Sequence, residues 1–90
     1  MNRSDIQYGT YLAYGIVSKL YWGGYNAIIP FRNANNCSIS CNYLKVGYGN
    51  ADHQVATNPS VTRQKNCIRI GFTSGTDYSG YLCYAEINVT

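Results

Sequence analysis

The stretch Cys37-Ser38-Ile39-Ser40-Cys41-Asn42-Tyr43-Leu44-Lys45-Val46 decides the fold class. Cys37, Ile39, Cys41 and Tyr43 fall on one parity; Ser38, Ser40 and Asn42 fall on the other. A period of two places alternate side chains on opposite faces of an extended chain, so this is a half-buried β-strand. Leu44 and Val46 then continue on the opposite parity, which predicts a bulge or a strand end near Tyr43. A second alternation closes the chain: Tyr81, Cys83, Ala85, Ile87 and Val89 against Leu82, Tyr84, Glu86 and Asn88.

Working outward from these two strands, the same vocabulary recurs. Asp5–Tyr8 reads as a short strand, and Tyr11–Tyr21 as one or two strands interrupted at Gly15. Gly23-Gly24 is a turn, and Tyr25–Phe31 a strand with Pro30 near its end. Asn33, Asn35 and Asn36 mark a loop, and Gly47–Asn50 turns. Ala51–Thr57 reads as a strand closed by Asn58-Pro59. Ser60–Phe72 holds one or two strands around the polar hinge Arg63–Asn66, with Ile68, Ile70 and Phe72 alternating against Arg69 and Gly71. Thr73–Gly80 is a loop or hairpin tip. No segment sustains a helical period. Short strands with turns at this spacing predict an all-β protein, a small antiparallel β-sandwich, with residues 1–90 forming a single domain.

Composition agrees with β structure and excludes several function classes. The 90 residues include ten Tyr and nine Gly, and only 12% are charged. Tyr and β-branched residues fit a pleated surface, and such a composition opposes disorder. A net charge of +3, scattered along the chain, is no footprint for nucleic acid. No apolar run approaches the ~20 residues of a membrane-spanning helix, so membrane insertion is not expected. Met1–Ile6 carries Arg3 and Asp5, and no apolar signal core follows. The expectation is therefore assembly in a cytoplasm, with reduced cysteines.

The residues capable of chemistry do not assemble into a catalytic or metal signature. Cys37 and Cys41, four residues apart on one strand face, sit ~13 Å apart, too far for a disulfide. Either of them can meet Cys83 across strands, but the four thiols read best as small buried hydrophobes. Cys67 and Cys83 supply no second zinc knuckle, so no metal is expected. His53 is the only histidine, and the acid beside it, Asp52, points to the opposite side of an extended chain, so a catalytic reading finds no nucleophile and orienting acid in place. The acids Asp5, Asp52, Asp77 and Glu86 lie in separate segments, without the paired carboxylates of glycoside hydrolysis. No cofactor motif is present. Trp22 reads as a core anchor or an exposed stacking platform. Ten phenols exceed what a core of this size can bury with every hydroxyl satisfied. Some must therefore line a surface that binds sugar or covers itself against another subunit.

In order, the motifs resemble the distal C-terminal domain of bacteriophage tail fibres, a small β-sandwich similar in shape to H-type lectins. Ile6-Gln7-Tyr8-Gly9 stands where that family opens with an Ile-Gln-Trp-Gly-like strand. Ile28-Ile29-Pro30-Phe31-Arg32-Asn33 is similar to its Phe-Pro-x-x-Phe-x-Asn-like stretch. Cys37–Cys41 looks like its alternating strand, Ile70-Gly71-Phe72-Thr73 like its Thr-Gly-Phe-Thr-like motif, and Tyr81–Ile87 like its closing strand, with Cys83 in a Trp position. Gly47–Ser60 has no counterpart. The Thr73–Gly80 segment lacks the Trp or His that a lectin sugar site of that group carries there, so that site is not transferred.

The resemblance implies a homotrimeric tip on a virion that adsorbs the particle to bacterial surface polysaccharide or an outer-surface protein, without catalysis. A structural trimerisation or virion decoration domain is the alternative, and an enzyme acting on surface polysaccharide is a weaker rival. Loops at one end of a sandwich cluster although they are distant in sequence. That argument selects Tyr48, Asn50, Asp52, His53, Asp77 and Tyr78 as the recognition set, with Tyr48 and Tyr78 expected off the core face. Trp22, Tyr25 and the strand faces near subunit clefts come next.

Overall fold

A computed structural model describes residues 8–32 and 37–90. The protein is all-β. Seven strands follow in order: β1 Gly9–Tyr21, β2 Gly24–Pro30, β3 Ile39–Tyr48, β4 Ala51–Thr57, β5 Thr62–Arg63, β6 Cys67–Thr73 and β7 Leu82–Val89. All pairings are antiparallel, in one sheet of spatial order β4-β3-β7-β1-β2-β6-β5. The expected strand at Asp5–Tyr8 and the Asn33–Asn36 loop fall outside the described residues, apart from Tyr8, which precedes β1.

The sheet curls around its inner face, bringing β4 to within 8 Å of β6 although four strands separate them in the order. The two layers of the sandwich are thus two parts of one continuous sheet. Inward residues follow the register across it. Tyr25, Ala27 and Ile29 of β2 lie opposite Phe72, Ile70 and Ile68 of β6; Ala13 of β1 lies opposite Ala85 of β7. Leu44 and Val46 complete the core from β3, and Cys83, Ile87 and Val89 from β7. Each fully buried aliphatic chain contributes about 1.5–3 kcal/mol relative to exposure.

Gly15 does not interrupt β1, contrary to expectation; the strand runs through it to Tyr21. A Cβ at Gly15 would strike the Ile28 carbonyl and come within 2.8 Å of Ile29. The glycine serves a close approach of β1 and β2 rather than a break. The bulge foreseen near Tyr43 is present, as the β3–β7 register shifts between Cys41 and Tyr43. Its consequence corrects one assignment. Cys41 faces inward, whereas Tyr43, opposite Glu86 and edge-on to Tyr84, belongs to the outer face.

None of the four cysteines is in a disulfide; Cys37, Cys41 and Cys83 are buried and Cys67 partly so. Cys41 lies opposite Ile87 in β7, four residues along from Cys83. Desolvation raises the Cys41 thiol above its ordinary value of 9.0 and pushes Cys83 to about 11.

Candidate functional site

Three segments meet at one end of the sheet. The first is the β1–β2 hairpin, where Tyr21 pairs with Gly24 and leaves Trp22-Gly23 as a two-residue turn. Gly23 takes φ +86°, the conformation a tight turn asks of glycine. The second is the β3–β4 hairpin, with Tyr48 opposite Ala51 and Gly49 at φ +67° ahead of Asn50. The third is the segment 74–81 between β6 and β7. It is no hairpin tip, because β6 and β7 are separated by β2 and β1. It crosses the end of the β1–β2 hairpin instead. Ser74 N donates to Gly23 O at 3.0 Å, Gly80 N to Val17 O at 2.8 Å, and Val17 N to Tyr81 O at 2.9 Å.

This crossing brings the two predicted loops together through aromatic rings. Tyr48 and Tyr78 meet edge-to-face at 5.3 Å, Tyr48 and Tyr81 at 5.0 Å, and His53 lies 6.0 Å from Tyr48 and 6.2 Å from Tyr78. His53 Nε2 is 3.3 Å from the Tyr48 carbonyl oxygen. Offset and edge-on ring pairs of this kind are worth about 0.5–1.5 kcal/mol each beyond their buried area.

The six predicted residues separate into distinct roles. Tyr48, Asn50 and His53 are exposed on this end. Tyr78 is not a surface residue: it is 7% exposed and packs against Phe72 at 6.4 Å as well as against Tyr48. The polarity of its neighbours in sequence hid this, since a loop that crosses the open end of a core needs an apolar plug. Asp52 points to the outer face, where it accepts a hydrogen bond from Tyr84 Oη at 2.9 Å. That bond to the carboxylate raises the Tyr84 phenol above its ordinary value. Asp77 organises its own turn, accepting from Ser79 N at 3.0 Å and Ser79 Oγ at 2.7 Å. These bonds, and more weakly Lys19, hold its carboxyl below the ordinary value.

Other aromatic residues share this end without having been selected. Trp22 is 82% exposed at the hairpin tip, with Lys19 Nζ 5.4 Å from its ring centre, and Tyr21 and Tyr81 are also exposed. Gly23-Gly24 was the signal for Trp22, because a residue in a two-residue turn lies outside the pleat and faces solvent. Tyr81 reads as the first residue of the last alternation, and only the loop's path turns it outward. Tyr25, named with Trp22 as next in line, is buried. Among the described residues there is no cluster of three or more His, Cys, Asp or Glu able to hold a metal ion. Nor do the described residues contain a helix long and apolar enough to cross a membrane.

Comparison with protein-family models, with curated proteins and with solved structures gives no match for this chain.

Proposed function

We propose that this protein is a non-enzymatic receptor-binding module, a tail-fibre-like tip that works as a homotrimer and attaches a phage particle to glycan on a bacterial surface. The observation that carries the reading is that Tyr21, Trp22, Tyr48 and Tyr81 are all exposed at one end of the sheet, where Tyr48 and Tyr81 pack ring on ring beside His53 and Asn50. Aromatic faces stack on the apolar faces of sugar rings, and amide and imidazole groups hydrogen-bond to sugar hydroxyls. Such shallow contacts are individually weak, and several copies on one particle multiply them. An outer-surface protein is the other receptor that a Tyr- and Asn-rich surface suits.

A polysaccharide hydrolase draws less support, since it needs two carboxylates flanking one bond. Asp52 is engaged with Tyr84 on the outer face and Asp77 with Ser79 in its own turn. The structural alternative, a trimerisation or decoration domain, is favoured by the apolar outer face of β1 and is separated by binding alone. Glycan-array and cell-adsorption measurements test the reading with Trp22→Ala, Tyr48→Ala and Tyr81→Ala. Each is expected to lower adsorption roughly tenfold, the scale of one stacking contact of about 1.4 kcal/mol. A folded, assembled parent that binds neither glycan nor cells overturns the proposal in favour of the structural alternative.

A further inference from the structure

β1 is apolar on both faces. Its inward residues Ala13 and Val17 are core, yet the outward residues Leu12, Tyr14 and Ile16 are also apolar and each is at least half exposed. The register extends this stripe sideways. Ile16 lies between Leu82 of β7, 70% exposed, and Ile28 of β2, and Tyr14 lies beside Tyr84 with ring centres 5.6 Å apart. Beyond it the outer face is mostly polar, with Arg69 on β6, Ser40 and Lys45 on β3, and Glu86 and Asn88 on β7 beside the aromatic Tyr43. An antiparallel strand with one face in water alternates, whereas a strand covered on both faces reads as a nearly continuous apolar run. Tyr-Leu-Ala-Tyr-Gly-Ile-Val, residues 11–17, is the second kind.

We propose that a second copy of this chain covers this stripe, with β1 and the start of β7 at the centre of a homo-oligomeric interface. Leu12, Tyr14, Ile16 and Leu82 together expose on the order of 500 Å² of contiguous surface, at the upper end of what a monomer leaves uncovered. A stable contact buries about 800 Å² per partner, so the stripe supplies the apolar centre of such a contact and the surface around it supplies the remainder. The stripe itself carries no charge, and the charges beside it are of opposite sign, Glu86 opposite Leu12 and Arg69 opposite Ile28, so a second copy can be turned to set one against the other; an apolar centre with a polar surround has the anatomy of a subunit contact. The inference rests on the proposed function only for the number of subunits. It does not require that the aromatic end bind glycan.

Light scattering on the intact chain, with Ile16→Lys and Leu82→Glu as variants and Lys45→Glu as an outer-face control, tests the interface. The parent and Lys45→Glu are expected to be oligomeric at micromolar concentration. Ile16→Lys and Leu82→Glu, both at exposed positions, are expected to melt cooperatively and to have half the parental mass or less. A photo-crosslinking side chain in place of Tyr14 is expected to join two copies. A monomeric parent overturns the inference, and so does an oligomer whose mass survives both variants, or a Tyr14 crosslink that never joins two chains. Oligomers that bind no glycan leave this interface standing, and glycan binding by a monomeric parent removes it while leaving the receptor reading intact.

Discussion

Tyr78 is held by Phe72 of β6 on one side and by Tyr48 and His53 of the β3–β4 hairpin on the other. It closes the end of the core that the curl of the sheet leaves open, and in doing so sets Tyr48 in place. Removing a buried aromatic side chain costs about 3–5 kcal/mol, so Tyr78→Ala is expected to lower the urea midpoint sharply. Tyr48→Ala, at an exposed position, is expected to cost about 1 kcal/mol or less while affecting adsorption. Equal losses of stability from the two would refute this division of roles. Cys83 makes a separate statement about pH. Its thiol ionises at about 11 when folded and near 9.0 otherwise, so the unfolded chain loses its proton first. The stabilising effect is complete below pH 9 and is lost as the pH rises through 11. Tyr84, also raised, acts in the same direction. Thermal melts of Cys83→Ala are expected to fall less steeply than the parent over that window, and parallel slopes would count against the assignment.

At the scale of the element, the bulge in β3 reconciles two parities. Asn42 is the extra residue between Cys41, opposite Ile87, and Tyr43, opposite Glu86. Its side chain is bonded on both sides, accepting from Asn88 Nδ2 at 2.8 Å and donating to Glu86 Oε1 at 2.7 Å, and its carbonyl accepts from Asn58 N at 2.8 Å. Deleting Asn42 would let Cys41, Tyr43 and Leu44 alternate regularly with every pairing kept. The shortened protein is expected to fold, less stable by about 1–3 kcal/mol for the lost hydrogen bonds. Deleting Tyr84 from β7, which has no extra residue there, would reverse the faces on one side of the cut and is expected to give no cooperative melt. Circular dichroism on the two deletions distinguishes them. A Tyr84 deletion that folds normally would show that register is not held by the inner face.

For the whole molecule, the receptor reading and the subunit interface use different surfaces. The aromatic end is built from Trp22, Tyr48 and Tyr81, while the stripe runs along the outer face of β1 through Leu12, Tyr14 and Ile16. Because the two are separate, loss of assembly is expected to spare the site and remove only its multiplicity. Ile16→Lys should therefore keep the glycan selectivity of the parent while its adsorption to cells weakens by about 10²–10⁴, the range that linked sites gain. A change in which glycans are bound would mean that subunits share one site.

Much of this architecture was legible along the chain. The alternation from Cys37 to Cys41, its change of parity at Tyr43 and the alternation of β7 determined strands, faces and a bulge, because a period of two is a local property of an extended backbone. The Gly23-Gly24 and Gly49-Asn50 turns were local in the same sense. The tertiary structure alone decided the strand order, which puts β7 between β3 and β1 and so sends the segment 74–81 across the β1–β2 hairpin. That path buries Tyr78 and exposes Tyr81, while the alternation of β4 sets Asp52 on the opposite side from His53. Gly15 looked like a break because its neighbour across the sheet, Ile29, is fourteen residues away and its crowding is invisible along the chain. Burial belongs to the packed sheet, and no single segment carries that information.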